Sequence, residues 1–222
     1  MLKAGMDMAT RIRLKAETEP LIAAENWTEI ERLWAPFLLC GDVDAEGDLA
    51  YFYAMYGFDE GLEKDAEMRD LLERAAAKGH ADATFGVATF LPIGQESDQL
   101  FVKAAELGNR DAQRTLGAYY ATGDWTGPKD PAVGLGWYAR AAEQGEHEAQ
   151  YNLGFMYILG EGTQPHVEKG LMWLRRSAEQ NCSYAMRLLG DLYRNGDYGV
   201  PQDSAEADIW ERRAQETEDA QG

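Results

Sequence analysis

Apolar and small residues recur along the chain with helical spacing inside segments and a longer period between them. Ala112, Leu116 and Tyr120 are four residues apart and therefore share one stripe of a helix. The same trio returns twice further along the chain: Ala149, Leu153, Tyr157, and Ala185, Leu189, Tyr193. Each trio predicts the buried stripe of one helix, with Gly117 and its equivalents leaving room for a second helix to approach closely.

The second helices are marked by tryptophans that recur after 36 and 37 residues, at Trp137, Trp173 and Trp210. A small residue follows each of them four positions later: Ala141, Ser177, Ala214. Asp130-Pro131 predicts a capped start of a second helix, and Gly145 suits the left-handed position after its end. A fixed period of roughly 20 to 50 residues is typical of stacked supersecondary units.

Three stretches carry a resemblance to a known family: AQYNLGFMYILGEG, the downstream WLRRSAEQ, and GDYGVPQDSAEADIW. They resemble Sel1-like (SLR) repeats, which are relatives of the tetratricopeptide repeat. The resemblance covers residues 45–215. It implies an all-α fold, an α/α superhelical solenoid of antiparallel helix pairs, with units at 45–79, 83–108, 112–145, 149–181 and 185–215. We assign residues 1–44 to an N-terminal helical cap and residues 216–222 to a disordered tail.

The unit at 83–108 is degenerate and shortened. Six residues separate Gly94 from Leu100, whereas fourteen separate the equivalent Gly123 and Trp137. Pro92 should also end its first helix early. We expect a local irregularity, which is either a bend or hinge of the solenoid or a deletion without functional meaning.

Composition narrows the classes of partner. The 222-residue chain has a formal net charge of −18, which argues against a nucleic-acid partner. The acidity is compatible with a basic partner and equally with solubility alone. No stretch approaches the roughly 18 apolar residues that a membrane span needs, and residues 1–15 lack the apolar run of a secretory signal. Cys40 and Cys182 lie in different helical units, which favours a reducing compartment, so we predict a cytoplasmic protein and take a monomer as the simplest state.

Catalytic and metal-binding patterns are weak. Gly134, Gly136 and Ala139 match a dinucleotide-binding spacing, but they fall inside a predicted helix and no strand precedes them. His147-Glu148 begins like a zinc-protease helix, yet Tyr151 stands where the second histidine should be. The histidines are dispersed over turns and loops and do not form a metal set. We therefore expect no enzyme activity, no cofactor and no metal.

The resemblance indicates where a partner protein would bind. In tetratricopeptide-like solenoids the first helices line the concave face, and positions two before, two after and five after the stripe Leu point toward it. Applied to the repeats, this gives the candidate partner-binding residues Tyr51, Phe85, Arg114, Tyr151, Phe155, Ile158, Arg187, Asp191 and Arg194. Aromatic residues and arginines are enriched in binding hot spots. The alternative for Phe155 and Ile158 is packing against the neighbouring repeat.

Two functions remain open at the level of sequence. The first is a scaffold or adaptor that grips a peptide or helix of a partner in the concave groove, with the arginines meeting carboxylates of that segment. The second is a dedicated inhibitor, such as an immunity-type protein, which blocks a folded basic partner through acidic outer loops at residues 42–48 or 59–65.

Overall fold

The computed structural model describes residues 6–56, 62–124 and 126–221, and every regular element within them is helical. The all-α architecture of consecutive helix pairs predicted from the repeats is therefore confirmed. The chain forms two units, Met1–Asn109 and Arg110–Gly222, which we call unit 1 and unit 2. Within the described part of the chain, no helix is long and apolar enough to cross a bilayer.

Unit 1 consists of helix pairs that follow one another along the chain: α1 (Met8–Ala23) and α2 (Trp27–Leu38), α3 (Val43–Tyr56) and α4 (Leu62–Ala77), α5 (Ala81–Phe90) and α6 (Gln95–Glu106). The fully buried Trp34 packs with Leu14 and Leu49, so α1, α2 and α3 share one core. The indole Nε1 of Trp34 donates a hydrogen bond to Thr18 Oγ1 at 2.9 Å, which satisfies the buried N–H. The helices α1 and α2, which lie in the segment predicted as an N-terminal helical cap, thus pack directly onto the first repeat.

Unit 2 repeats the arrangement with α7 (Arg110–Thr122) and α8 (Pro131–Glu143), α9 (His147–Leu159) and α10 (Val167–Glu179), α11 (Ser183–Asn195) and α12 (Ser204–Gln221). A short 3₁₀ turn, Asp197–Gly199, lies between the last two helices. Asp130 accepts hydrogen bonds from the backbone N–H groups of Ala132 and Val133, and Gly145 adopts φ +88°. Both helix boundaries predicted from these residues are confirmed.

The recurring small residues lie where neighbouring helices are closest. Ala112, Ala149 and Ala185 are each 0 % exposed. A Cβ added to Gly117 would lie 2.6 Å from the ring of Tyr138 on α8, so the pair packs at a distance that only glycine allows. Glutamines add a polar connection, because Gln144 donates to Gln113 and Gln180 donates to Gln150, each at 2.8 Å. This repeated bond joins the end of a second helix to the first helix of its own pair.

The shortened copy has the short connection that its sequence predicts. Residues 91–94 join α5 to α6, whereas residues 160–166 join the equivalent helices α9 and α10. α5 ends at Phe90, two residues before Pro92, as expected from the restriction that proline places on the preceding residue.

The C-terminal tail differs from the prediction. Residues 216–221 continue α12 and are not a disordered tail. The extension is held by α11, because Arg187 donates hydrogen bonds to Glu218 and Thr217 lies beside the sulfur of Met186. The helix propensity of this segment could not predict these contacts, because they form only in the folded unit.

Candidate functional site

Three aromatic side chains gather on the first helices of unit 2, and we call them the aromatic face: Tyr151 and Phe155 of α9, and Tyr184 of α11. The rings of Tyr151 and Phe155 are stacked, with centroids 6.4 Å apart and planes 3° apart. The Tyr184 ring lies 6.3 Å from that of Tyr151 and is tilted by 44°. Tyr184 is 70 % exposed, while Tyr151 and Phe155 are half-buried. The face is therefore anchored in the core at one end and open to solvent at the other.

Tyr184 was not among the predicted site residues, although the sequence carried a signal for it. It lies five residues before Leu189 and therefore on the same side of α11 as Arg187 and Asp191. Extending the predicted stripe by one turn toward the start of the helix would have included it.

Tyr151 has a partly enclosed hydroxyl. Burial raises the pKa of Tyr151, and the nearby Cys182 and Tyr184 raise it further. The hydroxyl therefore stays protonated at neutral pH and can donate a hydrogen bond to a bound segment.

Ile158 and Phe85 do not belong to an accessible surface, contrary to the prediction. Ile158 is 2 % exposed and packs in the core of unit 2, where its Cγ1 would lie 2.5 Å from a Cβ added to Gly170. The alternative for Ile158 was packing against the neighbouring repeat; Ile158 is buried, and its close contact Gly170 lies on α10 of its own helix pair. Phe85 is 6 % exposed, and its ring meets that of Phe101 edge-on at 5.7 Å. Tyr51 lies half-buried beside Phe85, with ring centroids 6.4 Å apart.

The predicted arginines are all engaged by carboxylates of the chain itself. Arg114 Nη1 lies 3.0 Å from Glu148 Oε2 and its Nε lies 3.9 Å from Glu146 Oε2. Arg187 Nε donates to Glu218 of α12 at 2.8 Å. Arg194 Nη2 donates to Glu211 at 2.8 Å and also pairs with Asp208.

These pairs change what the arginines can do. Hydrogen bonding to Glu218 raises the pKa of Arg187, and hydrogen bonding to Glu211 and Asp208 raises the pKa of Arg194. Asp191 takes part in no salt bridge with any residue that the structure describes. In the described part of unit 2, the predicted strip of arginines available to bind the carboxylates of a partner is therefore not observed.

Unit 1 contains an ionic cluster that the sequence did not reveal. Asp48 on α3 is 0 % exposed and accepts hydrogen bonds from Arg11 Nε and Nη2 of α1, each at 2.7 Å. Lys15 Nζ lies 2.9 Å from Asp48 Oδ1 and 3.3 Å from Asp82 Oδ2. His80 contributes Nε2 at 3.3 Å from Asp48 Oδ1. The cluster joins α1 to α3 and to the start of α5.

Asp48, His80 and Asp82 bring possible metal-ligand atoms within 4.8 Å of one another. The two carboxylates are already neutralised by Arg11 and Lys15, so a cation would have to displace both side chains. His80 Nδ1 accepts from the N–H of Ala83 and caps α5, while its Nε2 lies 3.3 Å from Asp48 Oδ1 and 3.0 Å from Arg11 Nη2. The arrangement fits a structural ion-pair network better than a metal centre.

The acidic segment at residues 42–48 is not an outer loop. Asp42 caps α3 by accepting from the N–H of Ala45, and it also accepts from the N–H of Met6. Asp44 pairs with Arg11 at 3.1 Å, and Asp48 is enclosed as described above. In the second acidic segment predicted as a loop, residues 59–61 lie outside the described residues, and residues 62–65 form the start of α4 instead of a loop.

The glycine pattern resembling a dinucleotide motif belongs to helix packing. Gly134 and Gly136 lie within α8. A Cβ on Gly134 would lie 2.8 Å from the carbonyl oxygen of Gly117, so this glycine serves the close approach of α7 and α8.

Comparison with known proteins identifies the repeats. A sequence model of the Sel1 repeat matches residues 43–80, 110–146, 147–182 and 183–210, which is more than half of the chain. Residues 81–109, where the sequence predicts the degenerate copy, fall between the matches. No curated protein sequence matches the chain significantly.

Solved structures share the fold. A Sel1 repeat protein from Oxalobacter formigenes is 26% identical, with a TM-score of 0.73 over 95% of this chain and 88% of that one. A protective antigen of uropathogenic Escherichia coli strains with an SLR fold is 25% identical, with a TM-score of 0.67 over 87% of this chain and 44% of that one. An immunity protein from Pseudomonas aeruginosa is 20% identical, with a TM-score of 0.60 over 96% of this chain and 84% of that one.

Proposed function

The chain belongs to the Sel1 repeat family, and on that premise we propose that it is a non-enzymatic binding module which holds a segment of a partner protein against the aromatic face. Sel1 repeats form protein-interaction scaffolds, and the question particular to this chain is which surface it uses. The proposal rests on one observation above others, the exposure of Tyr184 beside the stacked Tyr151 and Phe155.

An exposed ring beside two further rings offers apolar area that a partner can bury. Tyr184 leaves 70 % of its surface in water, where its ring gains nothing from burial. Tyrosine is enriched at binding hot spots because it offers a large apolar area and a hydroxyl at low cost in conformational entropy. A partner segment lying along α9 and α11 would bury Tyr184 and complete the packing of Phe155. The half-buried Tyr151 would hold the rings of Tyr184 and Phe155 in place.

The inhibitor alternative keeps its partner class but loses one of the two acidic segments assigned to it, residues 42–48. Asp42, Asp44 and Asp48 are occupied by α1 and by helix capping, so they are not free to meet a basic protein. The similarity to an immunity protein, at 20% identity, carries the fold and no more. We therefore place both functions, scaffold and inhibitor, on the aromatic face rather than on the acidic segment.

We also propose that the chain acts in the cytoplasm as a monomer. Cys40 is exposed in unit 1 and Cys182 is buried in unit 2. Two cysteines in different helical units, without a pair in each repeat, are typical of a protein in a reducing compartment.

Affinity capture from the native cell tests the proposed function. The double variant Phe155→Ala, Tyr184→Ala should lose at least about tenfold of the captured partner, because hot-spot residues each contribute about 2 kcal/mol or more. The control is Val133→Ala, Ile209→Ala, which removes two exposed apolar side chains from the second helices α8 and α12. Circular dichroism should show the same helix content in both variants. Full capture by the first variant, or equal loss in both, would mean that the aromatic face is not the binding surface.

A further inference from the structure

We infer that the partner segment is basic, and that the aromatic face receives a lysine or arginine side chain flanked by apolar residues. This inference rests on the proposed function and adds the chemistry of the partner to it. The sequence alone pointed the other way, toward partner carboxylates meeting free arginines. The arrangement of rings and charges around Tyr184 reverses that expectation.

The rings provide the first part of the argument. An aromatic face carries partial negative charge, so it attracts a cation placed over it. Tyr151 and Phe155 present nearly parallel rings 3° apart, and Tyr184 stands beside them tilted by 44°. A long cationic side chain can lay its methylene groups along the half-buried pair and place its charged end against Tyr184. The chain uses the same interaction internally, since Arg176 lies over Trp173 at 4.7 Å and Arg140 lies over Trp137 at 4.6 Å.

The charges around the rings provide the second part. Arg187 is 61% exposed on its side chain but is bound to Glu218, and Arg114 is bound to Glu148. Asp191 lies one turn beyond Arg187 on the same stripe and interacts with it at longer range, but it forms no close salt bridge among the described residues. Arg187 and Arg114 are thus neutralised by their close partners, while Asp191 is exposed and, among the same residues, has no cation in direct contact. An acidic segment would have to displace Glu218 to reach Arg187, whereas a basic one can pair with Asp191 directly.

The charge of the whole chain acts in the same direction. A net charge of −18 attracts basic segments and repels acidic ones during approach. Long-range attraction does not select a position on the surface. The aromatic face supplies that selection, because its apolar contact area and ring faces lie on the same side of α11 as the carboxylate of Asp191.

Two matched peptides test the inference by fluorescence anisotropy with the full chain. The first is Gly-Leu-Arg-Leu-Arg-Gly carrying an uncharged fluorophore, and the second has both arginines replaced by glutamates. The basic peptide should bind at least about tenfold more tightly than the acidic one. Its affinity should also fall as salt is raised, because the attraction is screened.

Substitutions at the face then separate ring chemistry from apolar contact. Tyr184→Phe keeps the ring and should bind the basic peptide almost as the wild type does. Tyr184→Leu keeps an apolar side chain without the ring and should weaken binding about fivefold, the size of one exposed cation–π contact. Asp191→Asn should weaken binding of the basic peptide and leave that of the acidic one no weaker. Tyr184 and Asp191 are both exposed, so these three substitutions should leave the fold intact.

Three results would overturn the inference: equal or tighter binding of the acidic peptide, no binding of either peptide, or equal binding by Tyr184→Leu and Tyr184→Phe. The first of these leaves the proposed function standing if the native partner is still lost from Phe155→Ala, Tyr184→Ala in the capture experiment. Loss of the proposed function would instead appear as undiminished capture by that double variant. The two claims can therefore fail separately.

Discussion

Asp48 is a carboxylate enclosed entirely by protein, and its partners explain how the charge is tolerated. Burial alone would raise the pKa of Asp48, but hydrogen bonds from His80 and Arg11, together with Lys15, hold that pKa well below its usual range. The sequence could not show this cluster. Arg11 lies 37 residues from Asp48, and the positions equivalent to Asp48 in the later repeats are Thr115, Asn152 and Leu188.

Removing one member of this buried pair should cost far more than removing an exposed one. Asp48→Asn should lower the free energy of unfolding by about 3 kcal/mol at neutral pH, because Arg11 loses its main partner inside the protein. Asp44→Asn is the matched control, since Asp44 also pairs with Arg11 but its side chain is 48% exposed. It should cost less than about 1 kcal/mol. Urea denaturation measures both values, and equal costs would contradict the account of the cluster.

The same substitution predicts a pH dependence. The pKa of Asp48 is lower in the folded than in the unfolded state, so its contribution is complete above the unfolded value of about 4 and is lost as pH falls below it. The difference in unfolding free energy between wild type and Asp48→Asn should be constant near neutral pH and shrink below about pH 4. A difference that stays constant in acid, or that shrinks as pH rises, would be inconsistent with a depressed pKa.

Two equivalent tryptophans differ in one hydrogen bond. Trp173 and Trp210 are each 6 % exposed and each lie under an arginine at 4.7 Å. Trp210 Nε1 donates to Glu206 at 2.9 Å, whereas the buried Nε1 of Trp173 has no acceptor among the described residues. Lys169 stands where Glu206 stands in the following repeat, which explains the difference.

A pair of conservative substitutions tests this difference. Replacement by Phe removes the N–H and part of the ring at both positions. Trp210→Phe should therefore cost about 1 kcal/mol more than Trp173→Phe, the net value of one hydrogen bond. Urea midpoints for the two variants give the comparison. If Trp173→Phe is as costly as Trp210→Phe or more so, the N–H of Trp173 has a partner that the contacts do not show.

At the scale of elements, the glycines that recur in the sequence have two distinct roles. Gly154 lies where α9 and α10 are closest, and an added Cβ would be 2.8 Å from the carbonyl oxygen of Gly170 and 2.9 Å from Leu174 Cγ. Gly136 lies within α8 with nothing in the way of a Cβ. Both fall inside helices, so local propensity treats them alike, and only the packing separates them.

Alanine substitution should therefore have opposite effects at these positions. Gly154→Ala should lower the free energy of unfolding by about 2 kcal/mol, because backbone atoms on both helices must move apart. Gly136→Ala should raise it by up to about 1 kcal/mol, since alanine favours the helix and meets no obstacle. Thermal and urea denaturation of the two variants measure this contrast. Destabilisation by both, or by neither, would contradict the helix packing.

The elements were predictable from sequence to the extent that they repeat. The stripes through Leu116, Leu153 and Leu189 predicted first helices, and the capped start at Asp130-Pro131 predicted a second one. The end of α12 was not predictable, because residues 216–221 are held by contacts to α11 that follow no repeat. Periodicity in the sequence predicts the contacts that all repeats share, but it does not predict contacts that occur in only one repeat.

At the scale of the whole molecule, the candidate site combines repeated and unique contacts. The repeat frame placed Tyr151 and Phe155 next to each other, as the structure has them, while their role in binding stays a prediction. The frame could not show that Ile158 and Phe85 are buried, or that Arg114, Arg187 and Arg194 are paired. A fixed spacing from the stripe Leu predicts on which side of a helix a residue lies, but it does not predict which side chains pack against that residue.

The central claim is that a partner protein contacts the aromatic face, and photo-crosslinking in the native cell tests it most directly. A photoreactive phenylalanine analogue replaces Tyr184 in one variant and Ile209, exposed on α12, in the control. We predict one discrete crosslinked product from position 184, suppressed when excess wild-type chain competes but not when the Phe155→Ala, Tyr184→Ala variant is added instead. Crosslinks of equal strength from position 209, or none from position 184 while the partner is still captured, would contradict the claim.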